Sequence, residues 1–152
     1  MELKEFVQTC KLYLFDMDGT LYLGSRLYDF TIELLDTIQK TGGKYLFITN
    51  NSSKSVADYV KKLEKFGIEA TRDDFMTSSQ ATAYYLHKHH EGQRLYVCGT
   101  ESLKEELRGE GFTVTEKVEE TDCIVMGFDT ELTFQKLHDV SYLLLTRPEL
   151  PY

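Results

Sequence analysis

Residues 12–22 read LYLFDMDGTLY, an apolar run of strand length that ends abruptly in acidic residues and a glycine. The run predicts a buried β-strand over residues 11–15, because a short apolar run bounded by turn residues is typical of a strand. Asp16 and Asp18 follow this strand directly, and Gly19 allows the backbone to turn away sharply after them. Ligands of parallel sheets bind beyond the carboxyl ends of the strands, so this turn is the first candidate site.

The acidic pair in this turn predicts a specific chemistry. Two carboxylates two residues apart repel each other unless a cation or a proton lies between them. Mg2+ suits such a pair, because it takes one or two carboxylates and completes its coordination with waters and a phosphate. We therefore predict that Asp16 and Asp18 hold Mg2+, with Asp16 as the nucleophile and Asp18 handling the proton at the leaving group.

Two other readings of the acidic pair need to be weighed. A D-x-D sequence also opens the calcium loop of an EF-hand, but Leu21 and Leu27 stand where that loop needs a glycine and a bidentate glutamate. A strand, not a helix, precedes the pair, so the calcium loop is rejected. An ordinary aspartate-rich turn stays open as an alternative, since Asp-Gly sequences often form turns.

A second stretch, residues 45–55 (YLFITNNSSKS), places polar donors after another predicted strand. Thr49, Asn50 and Asn51 follow that strand and precede a helix, whose amino end favours anions. We take these three residues, together with Gly19 of the first turn, as candidate phosphate-binding residues. An acidic pair and a donor cluster at the ends of successive strands predict phosphoryl transfer.

Apolar patterns along the whole chain alternate between strand and helix. Strands are expected at residues 11–15, 45–48, 95–98, 112–115 and 123–126, and helices within residues 32–38, 56–66, 79–87, 100–108 and 134–144. Ser55 and Asp58 form a capping pattern for the second helix, and Gly67 is placed to end it. The last helix is expected to bury one apolar face, formed by Phe134, Leu137, Val140 and Leu144. This alternation predicts an α/β fold with a parallel sheet covered by helices.

Charge and composition exclude several classes of partner. The 152 residues carry 17 Lys and Arg against 25 Asp and Glu, a formal charge of -8. Such a balance repels a phosphate-rich polymer, so duplex nucleic acid is not expected as a partner. No apolar run approaches the roughly 20 residues of a membrane span. The first 20 residues lack the features of a signal peptide, so a cytoplasmic location is expected.

The three cysteines argue against a metal or disulfide framework. Cys10, Cys98 and Cys123 are far apart, odd in number and without a C-x-x-C pair. They lie in or beside apolar segments, so we expect them to be small buried side chains.

Residues 12–22 and 45–55 together resemble the first two motifs of the haloacid dehalogenase superfamily. More narrowly, they are similar to the branch with a large α/β cap of the C2 type, which includes nitrophenyl, phosphoglycolate and sugar-phosphate phosphatases. Segments at residues 75–86, 94–107 and 123–137 follow in that branch's order and spacing. The resemblance implies a three-layer αβα Rossmann-like core with an inserted α/β cap. It also implies a Mg2+-dependent phosphomonoester hydrolase that acts on small phosphorylated metabolites.

The resemblance also implies a role for individual residues. Asp16 matches the family's nucleophile and metal ligand, and it would carry an aspartyl-phosphate intermediate. Asp18 matches the acid/base, whose backbone carbonyl also meets the metal. Thr49 matches the phosphate-binding hydroxyl, with Asn50 beside it.

The family's later motifs, a lysine and a further acidic cluster, have no match in this sequence. Lys117 and Lys136 lie in cap-like segments instead. We therefore expect an incomplete core in residues 1–90 and the first part of a cap in residues 91–152. The chain alone is expected to be inactive, and to bury its uncovered apolar edge in a second copy or to aggregate.

Three alternatives to a hydrolase stay open from the sequence. A phosphomutase or phosphotransferase of the same superfamily shares both motifs. A phospho-accepting receiver domain is also acidic and binds Mg2+, but it needs an acceptor aspartate at the end of a later strand, where this chain has Thr49 and Asn50. A non-catalytic remnant is the third alternative, because the later motifs are missing.

Overall fold

The computed structural model describes residues 9–152. Within that range the chain is an α/β protein of eight strands and five α-helices. The strands are β1 (Leu12–Asp16), β2 (Tyr22–Leu23), β3 (Arg26–Leu27), β4 (Lys44–Thr49), β5 (Phe75–Thr77), β6 (Arg94–Cys98), β7 (Thr113–Thr115) and β8 (Cys123–Met126). The helices are α1 (Thr31–Lys40), α2 (Val56–Lys65), α3 (Ser78–His89), α4 (Glu101–Gly109) and α5 (Phe134–Thr146), with short 3-10 turns at Arg72–Asp74 and Val118–Glu120.

The described residues divide into two compact units. The first unit consists of residues 9–50 and 60–77, and the second of residues 51–59 and 78–152. The functional boundary expected near residue 91 stays a prediction. No helix within residues 9–152 combines the length and the apolar character that crossing a membrane requires.

The first unit contains a parallel three-stranded sheet in the order β1-β4-β5. Side chains alternate between the two faces of a strand, so neighbouring residues of β4 have different surroundings. Phe47 and Phe75 are buried on one face, with ring centroids 5.4 Å apart. On the other face, Leu12 and Leu14 of β1 are 58% and 57% exposed. The strand is present as predicted, and its exposed leucines agree with the uncovered apolar surface expected of an incomplete core.

Two short features of the first unit were not predicted. The strands β2 and β3 pair as an antiparallel hairpin, with Gly24 between them at φ +60°. The strand β5 adds a third member to the sheet. None of these segments belongs to an apolar or alternating run of four or more residues.

The predicted start and end of α2 are both confirmed. The Asp58 carboxylate accepts hydrogen bonds from the backbone N–H of Ser55 at 2.9 Å and from the Ser55 hydroxyl at 2.9 Å, while the Asp58 N–H donates back to that hydroxyl. This exchange satisfies backbone donors that the first helical turn leaves unpaired. Gly67 follows the helix at φ +77°, a conformation in which glycine is favoured.

The second unit contains a parallel sheet in the order β7-β6-β8, with apolar clusters on both faces. Leu95 and Leu107 belong to one cluster, and Ile124 and Leu143 to the other. Burying each such side chain contributes about 1.5–3 kcal/mol of transfer free energy. Helices therefore cover this sheet on both sides, as the alternating pattern predicted.

Two predictions about individual side chains need correction. Cys98 and Cys123 are buried as expected, but Cys10 is only partly buried, because it lies before β1 rather than within a strand. In α5, Val140 and Leu144 of the predicted face pack in the core together with Leu143, but Phe134 is 83% exposed and Leu137 is 49% exposed. Both exposed residues lie in the first half of the helix.

An arginine–carboxylate pair joins β6 to the residue before β8. The Asp122 carboxylate accepts hydrogen bonds from Arg94 through its backbone N–H at 3.0 Å, Nε at 2.8 Å and Nη2 at 3.2 Å. The side-chain hydrogen bonds from Arg94, followed by the bond from its backbone N–H, lower the pKa of Asp122 to about 2. The ionised carboxylate is therefore the form that stabilises this end of the sheet.

We expect Asp122→Asn to lower the Tm of the protein at pH 7. Because the folded pKa of Asp122 lies below the unfolded value of about 3.9, its stabilisation is present above that pH and is lost as the pH falls toward 2. The Tm difference between wild type and variant should close over this interval in circular dichroism melts. Glu105→Gln, which removes an exposed carboxylate of α4, is the control. A difference that persists at pH 2 would contradict this account.

Candidate active site

Asp16 is the last residue of β1, and it lies beside the end of β4. The two strands are parallel, with Asp16 paired with Ile48, so that Thr49 follows by one residue on the neighbouring strand. Parallel strands end at the same edge of a sheet, where α/β proteins bind their ligands. The predicted nucleophile and the predicted phosphate-binding threonine therefore lie at the same edge of one sheet.

The two side chains differ in exposure. Thr49 is 4% exposed and lies on the same face of β4 as buried Phe47, while Asp16 is exposed and shares its face of β1 with Leu14. Asn50 is exposed at the end of the strand. Their joint contact with one phosphate stays a prediction.

The turn after β1 is fixed by backbone hydrogen bonds and by burial. The Met17 carbonyl accepts hydrogen bonds from the N–H groups of Thr20 at 3.1 Å and Leu21 at 3.0 Å, and the Gly19 N–H donates to the Tyr22 carbonyl at 2.7 Å. Gly19 adopts φ +86°, which residues with a Cβ rarely adopt. Met17, Leu21 and Tyr22 are fully buried, so they anchor the turn from inside.

The two carboxylates on either side of Met17 point to solvent and have different partners. The Thr20 hydroxyl donates to Asp16 Oδ2 at 3.2 Å. The Tyr22 hydroxyl donates to Asp18 Oδ2 at 3.3 Å, and Lys62 Nζ lies 3.4 Å from Asp18 Oδ1. Both oxygens of Asp18 are thus contacted by donors from the protein, and Asp16 is oriented by its neighbour in the turn.

The loop after β4 has its own hydrogen bonds within the second unit. Asn51 Oδ1 accepts from the Ser53 N–H at 2.9 Å and from the Ser53 hydroxyl at 2.7 Å. Ser52 Oγ accepts from the N–H of Phe128 at 2.7 Å. The side-chain oxygen of Asn51 therefore shapes this loop, and the role of Asn51 toward a phosphate stays a prediction.

The acidic pair fits part of the ligand set of a hard cation. Mg2+ usually binds proteins through one or two carboxylates and keeps waters and substrate oxygens for its other positions. Asp16 and Asp18 supply such carboxylates at an exposed edge of the sheet. Across residues 9–152, no group of three or more His, Cys, Asp or Glu side chains is arranged to hold a metal ion.

The second unit has a separate polar cavity of about 250 Å³, lined in part by Tyr96, Lys136 and Asp139. Tyr96 donates to Asp139 Oδ2 at 2.9 Å, and both burial and this hydrogen bond raise the pKa of Tyr96. Lys136 Nζ lies 2.8 Å from Asp129 Oδ2. Lys136 and Asp139 thus each have a polar partner within the second unit. We assign these contacts to the packing of that unit.

Three residues around the acidic pair were missed by the sequence reasoning. Thr20 and Tyr22 lie within the quoted motif, and their spacing of four residues from Asp16 and Asp18 was available as a signal. Lys62 lies in a helix that the apolar pattern predicts, but that pattern assigns no role to Lys62. Nothing local in the sequence links Lys62 to Asp18, because 44 residues separate them.

Comparison with known proteins agrees with this fold. The sequence pattern of the family described as haloacid dehalogenase-like hydrolase matches residues 13–113, and the chain belongs to that family. This span includes both motifs from which the resemblance was drawn. The predicted family and α/β fold class are therefore confirmed.

Relatives with stated activities are similar to this chain over most of its length. A 5'-nucleotidase of Bacillus subtilis is 35% identical over 130 residues, which cover 86% of this chain and 50% of that protein. The crystal structure of a 4-nitrophenylphosphatase from Thermotoga maritima superimposes with a TM-score of 0.83 and 34% identity, over 91% of this chain and 52% of that one.

A glycerol phosphate phosphatase from Mycobacterium tuberculosis, solved in complex with magnesium, has a TM-score of 0.79 at 27% identity, over 90% of this chain and 42% of that one. The chain spans about half the length of the curated relatives that it matches.

Proposed function

We propose that this protein is a Mg2+-dependent phosphomonoester hydrolase that acts through an aspartyl-phosphate on Asp16. The observation that carries the proposal is the position of two exposed carboxylates at the carboxyl end of β1, next to the end of β4, in a haloacid dehalogenase-like hydrolase. Its relatives are named for nucleotide, nitrophenyl phosphate and glycerol phosphate hydrolysis, which supports small phosphorylated metabolites as substrates.

The first half of the reaction transfers the phosphoryl group to the protein. A carboxylate oxygen of Asp16 attacks phosphorus, and the bond from phosphorus to the leaving alcohol breaks. Asp18 gives its proton to the departing oxygen as a general acid. Thr20 holds the Asp16 carboxylate by a hydrogen bond, which reduces the number of orientations that the nucleophile samples.

The second half returns the protein to its starting state. Asp18, now a carboxylate, accepts a proton from water as that water attacks phosphorus. The acyl-phosphate bond breaks, which restores Asp16 and releases inorganic phosphate. Thr49 and Asn50 supply a hydroxyl and an amide that bind phosphoryl oxygens in both steps.

The Asp16 carboxylate and the backbone carbonyl of Asp18 would hold the Mg2+, which neutralises phosphoryl oxygens when bound and lowers their repulsion of the attacking carboxylate. The magnesium complex of the Mycobacterium tuberculosis relative supports this assignment. Two carboxylates are fewer acidic groups than the family resemblance implies for the complete site. We therefore propose that residues 1–152 on their own turn over poorly, if at all.

Asp16→Asn should abolish turnover of p-nitrophenyl phosphate in the protein as its gene encodes it. An amide is a much weaker nucleophile than a carboxylate, so kcat/KM should fall by at least about 10³-fold. The matched control is Asp36→Asn, an exposed carboxylate of α1 in the same unit. Near-normal turnover by Asp16→Asn, with the control unchanged, would refute the nucleophile assignment.

Removal of divalent metal should abolish the same activity. Mg2+ added back after treatment with a chelator should restore turnover, because hard oxygen ligands select a hard cation. Zn2+ should not substitute well, since the acidic pair has no adjacent Cys or His in the sequence. The measurement is the initial rate with p-nitrophenyl phosphate during metal titration. Full turnover in a metal-free preparation would show that the metal assignment is wrong.

A further inference from the structure

The ammonium group of Lys62, in α2, contacts residues of the acidic turn. Its Nζ lies 3.4 Å from Asp18 Oδ1 and 3.7 Å from the centroid of the Tyr22 ring. The Lys62 side chain is 18% exposed, although lysine side chains usually extend into solvent. An ion pair with Asp18 and a cation–π interaction with Tyr22 therefore help to hold the Lys62 ammonium group beside the turn.

The packing of Tyr22 fixes the position of the ring that Lys62 contacts. The residue is fully buried, and its ring packs against that of Phe66, with centroids 5.4 Å apart. Its hydroxyl donates to Asp18 Oδ2 at 3.3 Å, so the ring and the hydroxyl act on two different groups. One Asp18 oxygen therefore accepts a hydrogen bond from the buried Tyr22. The other Asp18 oxygen contacts Lys62, whose ammonium group lies over the Tyr22 ring.

We propose that Lys62 and Tyr22 are positioning residues that hold the Asp18 carboxyl group in place for proton transfer to the leaving oxygen. This inference rests on the proposed function. In the transfer step, the bond from Asp16 oxygen to phosphorus forms, the bond from phosphorus to the leaving oxygen breaks, and the Asp18 proton moves to that leaving oxygen. The contacts of Lys62 and Tyr22 with the two Asp18 oxygens limit the orientations that the carboxyl group samples during this step.

A positioning role and a purely structural role lead to different effects on two substrates. An alkyl alcohol leaves poorly without a proton, whereas p-nitrophenolate is stable enough to leave unprotonated. Damage to the general acid should therefore slow hydrolysis of an alkyl phosphate far more than hydrolysis of p-nitrophenyl phosphate. Loss of folded protein would lower both rates by the same factor.

The experiment compares kcat/KM for glycerol phosphate and for p-nitrophenyl phosphate in the protein as its gene encodes it, with Mg2+ present, because kcat/KM reports the step in which the alcohol leaves. In Lys62→Met, kcat/KM for glycerol phosphate should fall about tenfold or more relative to kcat/KM for p-nitrophenyl phosphate. Tyr22→Phe keeps the ring under the lysine and removes the hydroxyl, and it should change the ratio in the same direction. Lys62→Arg should restore most of the ratio, because it keeps a cation at this position.

Lys61→Met is the matched control, since it removes the same charge from the adjacent, exposed position of α2. It should leave the ratio of the two kcat/KM values at the wild-type value. Melting curves confirm that each variant is folded at the assay temperature.

The outcomes separate this inference from the proposed function. An unchanged ratio in folded Lys62→Met, while Asp16→Asn is inactive, would overturn the inference and leave the proposed function standing. An equal change in Lys61→Met would also overturn it, since net charge would then explain the effect. Wild-type protein without turnover, or an active Asp16→Asn variant, would overturn both proposals.

Discussion

The parallel pairing of β1 with β4 is the constraint on which the site depends. It places Asp16 opposite Ile48 and brings Thr49 and Asn50 to the same edge of the sheet. Parallel strands need a long crossover connection. Here it consists of the 27 residues between the two strands, which include the β2–β3 hairpin and α1. If these strands were antiparallel, the acidic pair and the polar donors would lie at opposite ends of the sheet.

Packing beneath the acidic turn decides which of its residues face solvent. Met17, Leu21 and Tyr22 are fully buried, and the turn they anchor leaves Asp16 and Asp18 facing outward on either side of Met17. The positive φ of Gly19 is needed for this reversal of the chain. The buried Tyr22 makes two contacts around this turn, because its hydroxyl donates a hydrogen bond to Asp18 and its ring packs against the Lys62 ammonium group. The same buried side chains thus anchor the turn and fix the surroundings of its two carboxylates.

Much of the fold and part of the site were predictable from local sequence. The apolar runs gave β1, β4, β6, β7 and β8, and the Ser55–Asp58 pattern located the start of α2, because these signals act over a few residues. The exposure of Phe134, the short strand β5 and the contact of Lys62 with Asp18 depend on tertiary packing. Such contacts join residues far apart in the chain, and a single sequence carries no local trace of them.

The central claim is that Asp16 becomes covalently phosphorylated during turnover. The most direct measurement is an acid quench of the protein as its gene encodes it during steady-state hydrolysis of p-nitrophenyl phosphate, followed by peptide mass spectrometry. The account predicts a phosphoryl group on Asp16 in the peptide that contains residues 12–22, labile to hydroxylamine as acyl phosphates are, and absent from Asp16→Asn. Phosphorylation of another residue, or rapid turnover with no phosphorylated peptide at any quench time, would contradict it.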